Sequence, residues 1–194
     1  MSTREKILGE VLQNQPPSLP LPDLSVFRGE MKDVVQKYRT VFESIGGDVY
    51  LVDDLEAIKA IIKEKYDLEK RIVTTLPELT GNFEWIAPDV DPHTYEDIEL
   101  AIINAHFSVA ENGAVWLSDE VMGQRIIPYI CQHLAVVVRA ESIVPTLHEA
   151  YEIIGEGTYG FGGFIGGPSK TADIEQALVL GAHGPLSMAV FVIG

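Results

Sequence analysis

The densest set of residues able to do chemistry lies between Gly155 and Pro185. Seven of the thirteen residues from Gly155 to Gly167 are glycine, a density that costs chain entropy and is expected where backbone conformations are closed to other residues or a ligand comes close. Gly167-Pro168-Ser169-Lys170-Thr171 follows, and a helix is predicted from Thr171 to about Leu180. With Thr171 as its N-cap, the first-turn amides and the positive end of the helix face a carboxylate or phosphate, and Lys170 supplies a counter-charge. Ser169 and Thr171 offer hydroxyls to the same ligand, and Asp173 and Glu175 sit near the helix opening, Asp173 as an acid-base candidate. In Gly181-Ala182-His183-Gly184-Pro185, His183 is a candidate proton donor or acceptor, with a turn-stabilising or interface histidine as the competing reading. In a simple strand-helix-strand crossover the two helix ends open onto opposite sheet edges, which separates Ser169 from His183 unless the loops curl back or a second subunit intervenes.

A further candidate is Glu111, in Glu111-Asn112-Gly113. Buried, it serves as a nucleophile or base, because desolvation raises a carboxyl pKa and a nearby cation lowers it. Alternatively, it orients the turn at Gly113. Other chemistries fit poorly. A phosphate-binding P-loop needs glycine directly before its lysine, where this chain has Ser169. Gly155-Glu156-Gly157-Thr158-Tyr159-Gly160 matches a dinucleotide fingerprint but follows a predicted helix, not a strand. The five histidines are scattered and Cys131 is the single cysteine, so no metal ligand set is expected within the chain.

The formal net charge is −15, and between Arg71 and Arg125 there are ten acidic residues and no Lys or Arg. Such a surface repels phosphate backbones, so nucleic acid is not an expected partner. No stretch resembles a secretory signal or approaches the roughly 20 apolar residues of a membrane span, and a cytoplasmic location is the default expectation.

The elements that position these residues form an N-terminal arm, residues 1–28, and one α/β domain, residues 29–194. The arm pairs a short helix at residues 3–12 with the proline-rich Pro16 to Pro22, whose leucines are candidates to pack on the body or on a second copy in a homo-oligomer. Val34, Tyr38, Val41, Phe42 and Ile45 recur at helical spacing and stop at Gly46-Gly47. Strands are predicted at residues 49–52, 71–74, 114–117, 134–138 and 186–193, with helices at residues 54–65, from Thr94 as a cap, and at residues 142–154. Alternating strand and helix predicts a single three-layer domain with a mainly parallel sheet.

The run from Gly167 to Glu175, followed by Gly181-Ala182-His183-Gly184-Pro185, closely resembles the terminal signature of the LUD-domain family, in its lactate utilisation protein C (LutC, YkgG) group. Ala110-Glu111-Asn112-Gly113-Ala114 is similar to that family's Ala-Glu-Thr-Gly-Thr segment, with Asn112 and Ala114 in place of the threonines. The resemblance implies an α/β fold of the NagB/RpiA/CoA-transferase type. It also implies a part in oxidising L-lactate to pyruvate alongside two iron-sulfur proteins. With one cysteine here, the iron-sulfur clusters are expected only in those partners, and no cofactor is expected in this chain. The expected role is a non-redox component that binds a small hydroxy acid or supports complex assembly. Gly113, Gly167, Ser169, Lys170, Thr171, Glu175 and Gly184 are then the substrate-binding set, and Glu111, Asp173 and His183 the catalytic candidates. The alternative is a CoA-transferase-, isomerase- or hydrolase-like enzyme acting on a small carboxylate or its thioester, with Glu111 as nucleophile.

Overall fold

Two seven-residue runs, His133–Arg139 and Ser187–Ile193, are apolar at successive interior positions and do not alternate, as a strand covered on both faces requires. A computed structural model, which describes residues 2–20, 22–171 and 179–194, places them side by side and parallel at the centre of the fold. In chain order the helices are α1 (Thr3–Gln13), α2 (Val34–Ser44), α3 (Leu55–Lys65), α4 (Asp119–Met122), α5 (Ile127–Ile130) and α6 (Leu147–Ile154). The strands are β1 (Asp48–Val52), β2 (Ile72–Thr74), β3 (Glu84–Trp85), β4 (Leu100–Asn104), β5 (Phe107–Val109), β6 (Val115–Ser118), β7 (His133–Arg139), β8 (Ile143–Val144), β9 (Gly162–Ile165) and β10 (Ser187–Ile193).

Six strands form a parallel sheet in the order β1-β10-β7-β4-β2-β3. One face is covered by α3, whose fully buried Ile58 and Ile62 meet Ala135, Val137 and Phe191. The other face receives Tyr38 and Phe42 of α2 together with the inner side of a second sheet, ordered β8-β5-β6-β9, through Val115 and Leu117. The three layers predicted from the alternation are therefore present, with a small mixed sheet sharing one outer layer with α2.

Two connections join the sheets. β4 passes into β5 after only Ala105 and His106, and β7 passes into β8 through a single tight turn at residues 140–142. Each pair is parallel and adjacent, β4 with β7 in the first sheet and β5 with β8 in the second. The same two chain segments thus bend together across the carboxyl edge of the large sheet.

Local signals differ from expectation in two places. Thr94 does not cap a helix: Asp91 accepts from the His93 amide at 3.0 Å to start a short turn at Pro92–Tyr95, and Asp97 pairs with Arg71. Proline at position 92 fits the first turn but the following apolar stripe is too short to bury a full helix. The helix predicted from residue 142 begins at Leu147, because Thr146 and Glu149 form a reciprocal capping box and Ile143–Val144 are drawn into pairing with β5. In the arm, α1 buries no residue, whereas Phe27 stacks on His148 at 5.4 Å and Arg28 pairs with Glu152 at 3.2 Å.

At the start of β2, Arg71 grips both oxygens of Glu84 at 2.7 and 2.9 Å and reaches Asp97 at 2.6 Å, tying the edge strand and the Pro92–Tyr95 turn to the sheet. The guanidinium hydrogen bonds hold both carboxyls below their ordinary values. A depressed folded pKa makes the stabilising contribution complete above the unfolded value and lost as pH falls through the folded one. Chemical denaturation is therefore expected to show stability falling as pH drops below the ordinary carboxylate range, about pH 4, with a shallower fall in Arg71→Met; identical slopes would refute this role.

Candidate functional site

The residues singled out in the sequence gather at the amino edge of the large sheet, around the end of α2. Gly46 takes φ +91° just past the helix, and Lys170 Nζ donates to the Ile45 carbonyl, placing a cation at the negative end of α2. Gly113 and Gly167 close on the same isoleucine, both at positive φ (+74° and +76°). A Cβ on Gly113 would stand 3.1 Å from Ile45 Cδ1, and one on Gly167 would stand 3.1 Å from the Ile45 carbonyl oxygen. Both glycines are thus required by backbone conformation and close approach.

Ser169 and the His183 turn are neighbours, contrary to the separation expected of a simple crossover. The Ser169 amide donates to the Pro185 carbonyl at 2.9 Å, the Gly181 amide donates to the Ser169 carbonyl at 3.0 Å, and a Cβ on Gly184 would lie 3.1 Å from that of Ser169. Further out, the Thr171 amide donates to Val179 O at 3.1 Å, the Val179 amide donates to Thr171 Oγ1 at 3.0 Å, and Lys170 bridges antiparallel to Leu180. These hydrogen bonds tie the two flanks together. Asp173, Glu175 and most of the predicted helix lie outside the described residues. His183 is exposed at the turn.

Glu111 is exposed as well, and its Oε2 accepts from the Leu147 amide at 2.8 Å. There it meets the positive end of α6, a favourable place for a carboxylate. The burial that a nucleophilic Glu111 would need is absent. Lys170 and Glu111 therefore both have fold-holding contacts, which leaves Ser169 as the most available polar side chain of this cluster.

A different crevice, of about 280 Å³, opens at the carboxyl ends of β2, β4, β7 and β10 and is lined by Thr75, Glu78, Asn104 and Arg139 among others. This edge is where open parallel sheets present ligand sites. Arg39, Arg71 and Arg125 each hold a carboxylate. The side chain of Arg139, exposed at the last position of β7, has no hydrogen bond or ion pair among the described residues, and neither has the Asn104 side chain at the end of β4. A cation, an amide and a carboxylate thus face one small space. Neither Arg139 nor Asn104 belongs to a motif in the sequence. The available signal was a polar residue closing an apolar run in a parallel strand, as in Leu100–Asn104 and His133–Arg139.

Cys131, buried just before the start of β7, has its thiol pushed up to about 12 by desolvation, which makes it inert as a nucleophile. Among the described residues no group of three or more His, Cys, Asp or Glu is placed to hold a metal. For the amino-edge cluster, Lys170→Met is expected to cost about 0.3–1 kcal/mol in urea denaturation, and Gly113→Ala about 1–3 kcal/mol. A Lys170→Met variant as stable as the parent would show the lysine free of its capping role.

Comparison with known proteins agrees with this architecture. A 1.70 Å crystal structure of a DUF162 family protein from Deinococcus radiodurans superposes with TM-score 0.65 at 18% identity, covering 86% of this chain and 99% of that one, which supports the shared fold. The chain is 33% identical over 141 residues to lactate utilization protein C of Bacillus subtilis (strain 168), covering 67% of this chain and 58% of the relative. It is 27% identical over 158 residues to the protein of that name from Geobacillus kaustophilus, covering 76% and 63% respectively. It is 32% identical over 101 residues to lactate utilization protein C 1 of Bacillus mycoides, covering 49% and 43%. The chain therefore spans less than two thirds of the length of these relatives. The LUD domain model matches residues 35–193, nearly the whole α/β domain, and the chain belongs to the LUD domain family.

Proposed function

We propose that this chain is a non-redox component of a lactate utilisation system and that it binds a small hydroxy acid in the carboxyl-edge crevice. The role in lactate utilisation rests on the similarity to lactate utilization protein C. The observation that carries the site is the guanidinium of Arg139, unpaired among the described residues, lining one crevice with Asn104. A guanidinium matches a carboxylate in a planar, two-bond geometry, and such charge-assisted contacts are stronger than neutral ones. Glu78 in the same crevice can accept from the hydroxyl of an α-hydroxy acid, and Asn104 can donate to either oxygen. The crevice thus complements a molecule with one anionic end and one hydroxyl, where a simple carboxylate leaves Glu78 without a donor.

The chain's single cysteine is a buried thiol, so in this reading electron transfer belongs to iron-sulfur partner proteins and this subunit holds or presents the acid. The partner contact is assigned to α1, which carries Ile7, Leu8, Val11 and Leu12 exposed on the solvent side.

Calorimetric titration with L-lactate tests the site. Arg139→Ala is expected to weaken binding about 10- to 100-fold, as loss of a charge-assisted pair does. Arg139→Lys should recover part of it, and Ser169→Ala should leave it unchanged. Loss of binding in Ser169→Ala with full binding in Arg139→Ala would move the acid to the amino edge.

A further inference from the structure

A larger cavity, about 570 Å³, lies on the outer face of the second sheet, between that sheet, the end of α6 and the glycine-rich loop. Its volume falls in the range of small-molecule sites, roughly 300–1,000 Å³. Phe107, Trp116 and Tyr159 contribute its aromatic surface, with Val144, Ile153 and Ile154 adding aliphatic wall. The Trp116 and Tyr159 rings meet at 77° with centroids 5.6 Å apart, so they present two sides of a corner. At the end of β6, Ser118 is 4% exposed, and its Oγ lies 2.7 Å from His106 Nε2. Two exposed carboxylates, Glu120 and Glu141, line the same space, and none of its lining residues is Lys or Arg.

The glycine-rich loop is shaped to this cavity. A Cβ on Gly162 would strike the Trp116 ring at 2.8 Å and Tyr159 at 3.1 Å, and one on Gly157 would press on Tyr159 at 3.3 Å. Removing those Cβ atoms lets backbone lie against the rings. Gly157 and Gly162 therefore have a local cause that is separate from the Ser169 turn.

We infer that this cavity is a binding site for an organic cation: a flat apolar body seated against Trp116 and Tyr159, with a protonated amine directed to Glu120 and Glu141. Aromatic faces attract cations through their quadrupole, most strongly for tryptophan, and two carboxylates add Coulombic attraction. The His106–Ser118 pair gives a hydrogen-bonding floor for a polar edge of the ring system. A small anion is disfavoured here because Glu120 and Glu141 line the space with no Lys or Arg beside them, whereas the crevice at the large sheet includes Arg139. The inference is independent of the hydroxy-acid reading and places a second, chemically different ligand on the same domain.

Trp85, half-exposed on the edge strand β3, is the only other tryptophan, so Trp85→Phe leaves Trp116 as the sole reporter. Titrating that variant with benzylamine, benzyl alcohol and benzoate while recording tryptophan fluorescence tests the proposal. A saturable change with benzylamine is expected, about ten-fold tighter than with benzyl alcohol and tighter still than with benzoate. Adding Glu120→Gln and Glu141→Gln should equalise benzylamine and benzyl alcohol without abolishing either signal, and should leave L-lactate binding by calorimetry unchanged. Circular dichroism of each variant confirms that the fold is retained. Absence of a saturable benzylamine response in folded protein, benzoate binding as tightly as benzylamine, or a preference that survives both Gln substitutions would each overturn it.

Discussion

The carboxyl edge of this molecule depends on two strands that belong to two sheets. β4 and β7 are hydrogen-bonded neighbours in the parallel sheet, and their continuations β5 and β8 are neighbours in the second. Because both leave the first sheet at the same edge, the chain between them cannot run out into solvent and return through a long loop. It must bend sharply, with Asn104 and His106 on one strand and Arg139, Glu141 and Ser142 on the other. The polar residues that end one buried strand and begin the next are thereby carried to the two cavities. Asn104 and Arg139 line the crevice at the large sheet, while His106, Glu141 and Ser142 line the cavity at the small one. A cation then distinguishes the two: the crevice has the guanidinium of Arg139 together with Glu78, and the larger cavity has the carboxylates of Glu120 and Glu141 with no Lys or Arg.

At the other edge, the end of α2 is the point on which the loops converge. Ile45 is approached by Gly113 from the β5–β6 turn and by Gly167 from the segment after β9, and its carbonyl accepts from Lys170. Neither glycine tolerates a side chain there, since each combines a left-handed backbone with a neighbour near 3.1 Å. Phe42 and Tyr38, one and two turns earlier on the same helix, are fully buried between the sheets. Burial raises the Tyr38 phenol well above its usual range, with the Ser108 hydroxyl offsetting part of the effect. Both hydroxyls are buried without a hydrogen-bond partner of good geometry, which marks the α2–β5 contact as one held by apolar packing.

Much of this organisation was legible in the residues. Helical spacing from Val34 to Ile45 and the stop at Gly46-Gly47 identify α2, and the aliphatic runs at residues 134–138 and 186–193 identify the central strands. The segment around β4 was not, because Leu-Ala-Ile-Ile-Asn follows a turn-rich acidic stretch and its apolar run alone does not separate strand from helix. The candidate site was only half legible. Glycines and a lysine close to one another in sequence suggested a ligand, yet Gly113, Gly167 and Lys170 meet backbone of α2, a contact between residues more than sixty positions apart. Arg139 and Asn104 gave no motif, since what brings them together is strand register: Asn104 lies opposite Val137, two residues before Arg139.

A component that holds a hydroxy acid without oxidising it needs a charge-matched pocket more than it needs a nucleophile, and the polar groups of this fold are distributed accordingly. Glu111 caps α6 and Lys170 caps α2, while Arg139, without a partner among the described residues, stands at the edge where parallel sheets place ligands. The most direct test is a crystal structure with L-lactate bound. This account predicts its carboxylate within hydrogen-bond distance, about 3 Å, of the Arg139 guanidinium, with Asn104 and Glu78 contacting the remaining oxygens. Lactate seated against Ser169 and His183, with the crevice at Arg139 filled only by water, would contradict it.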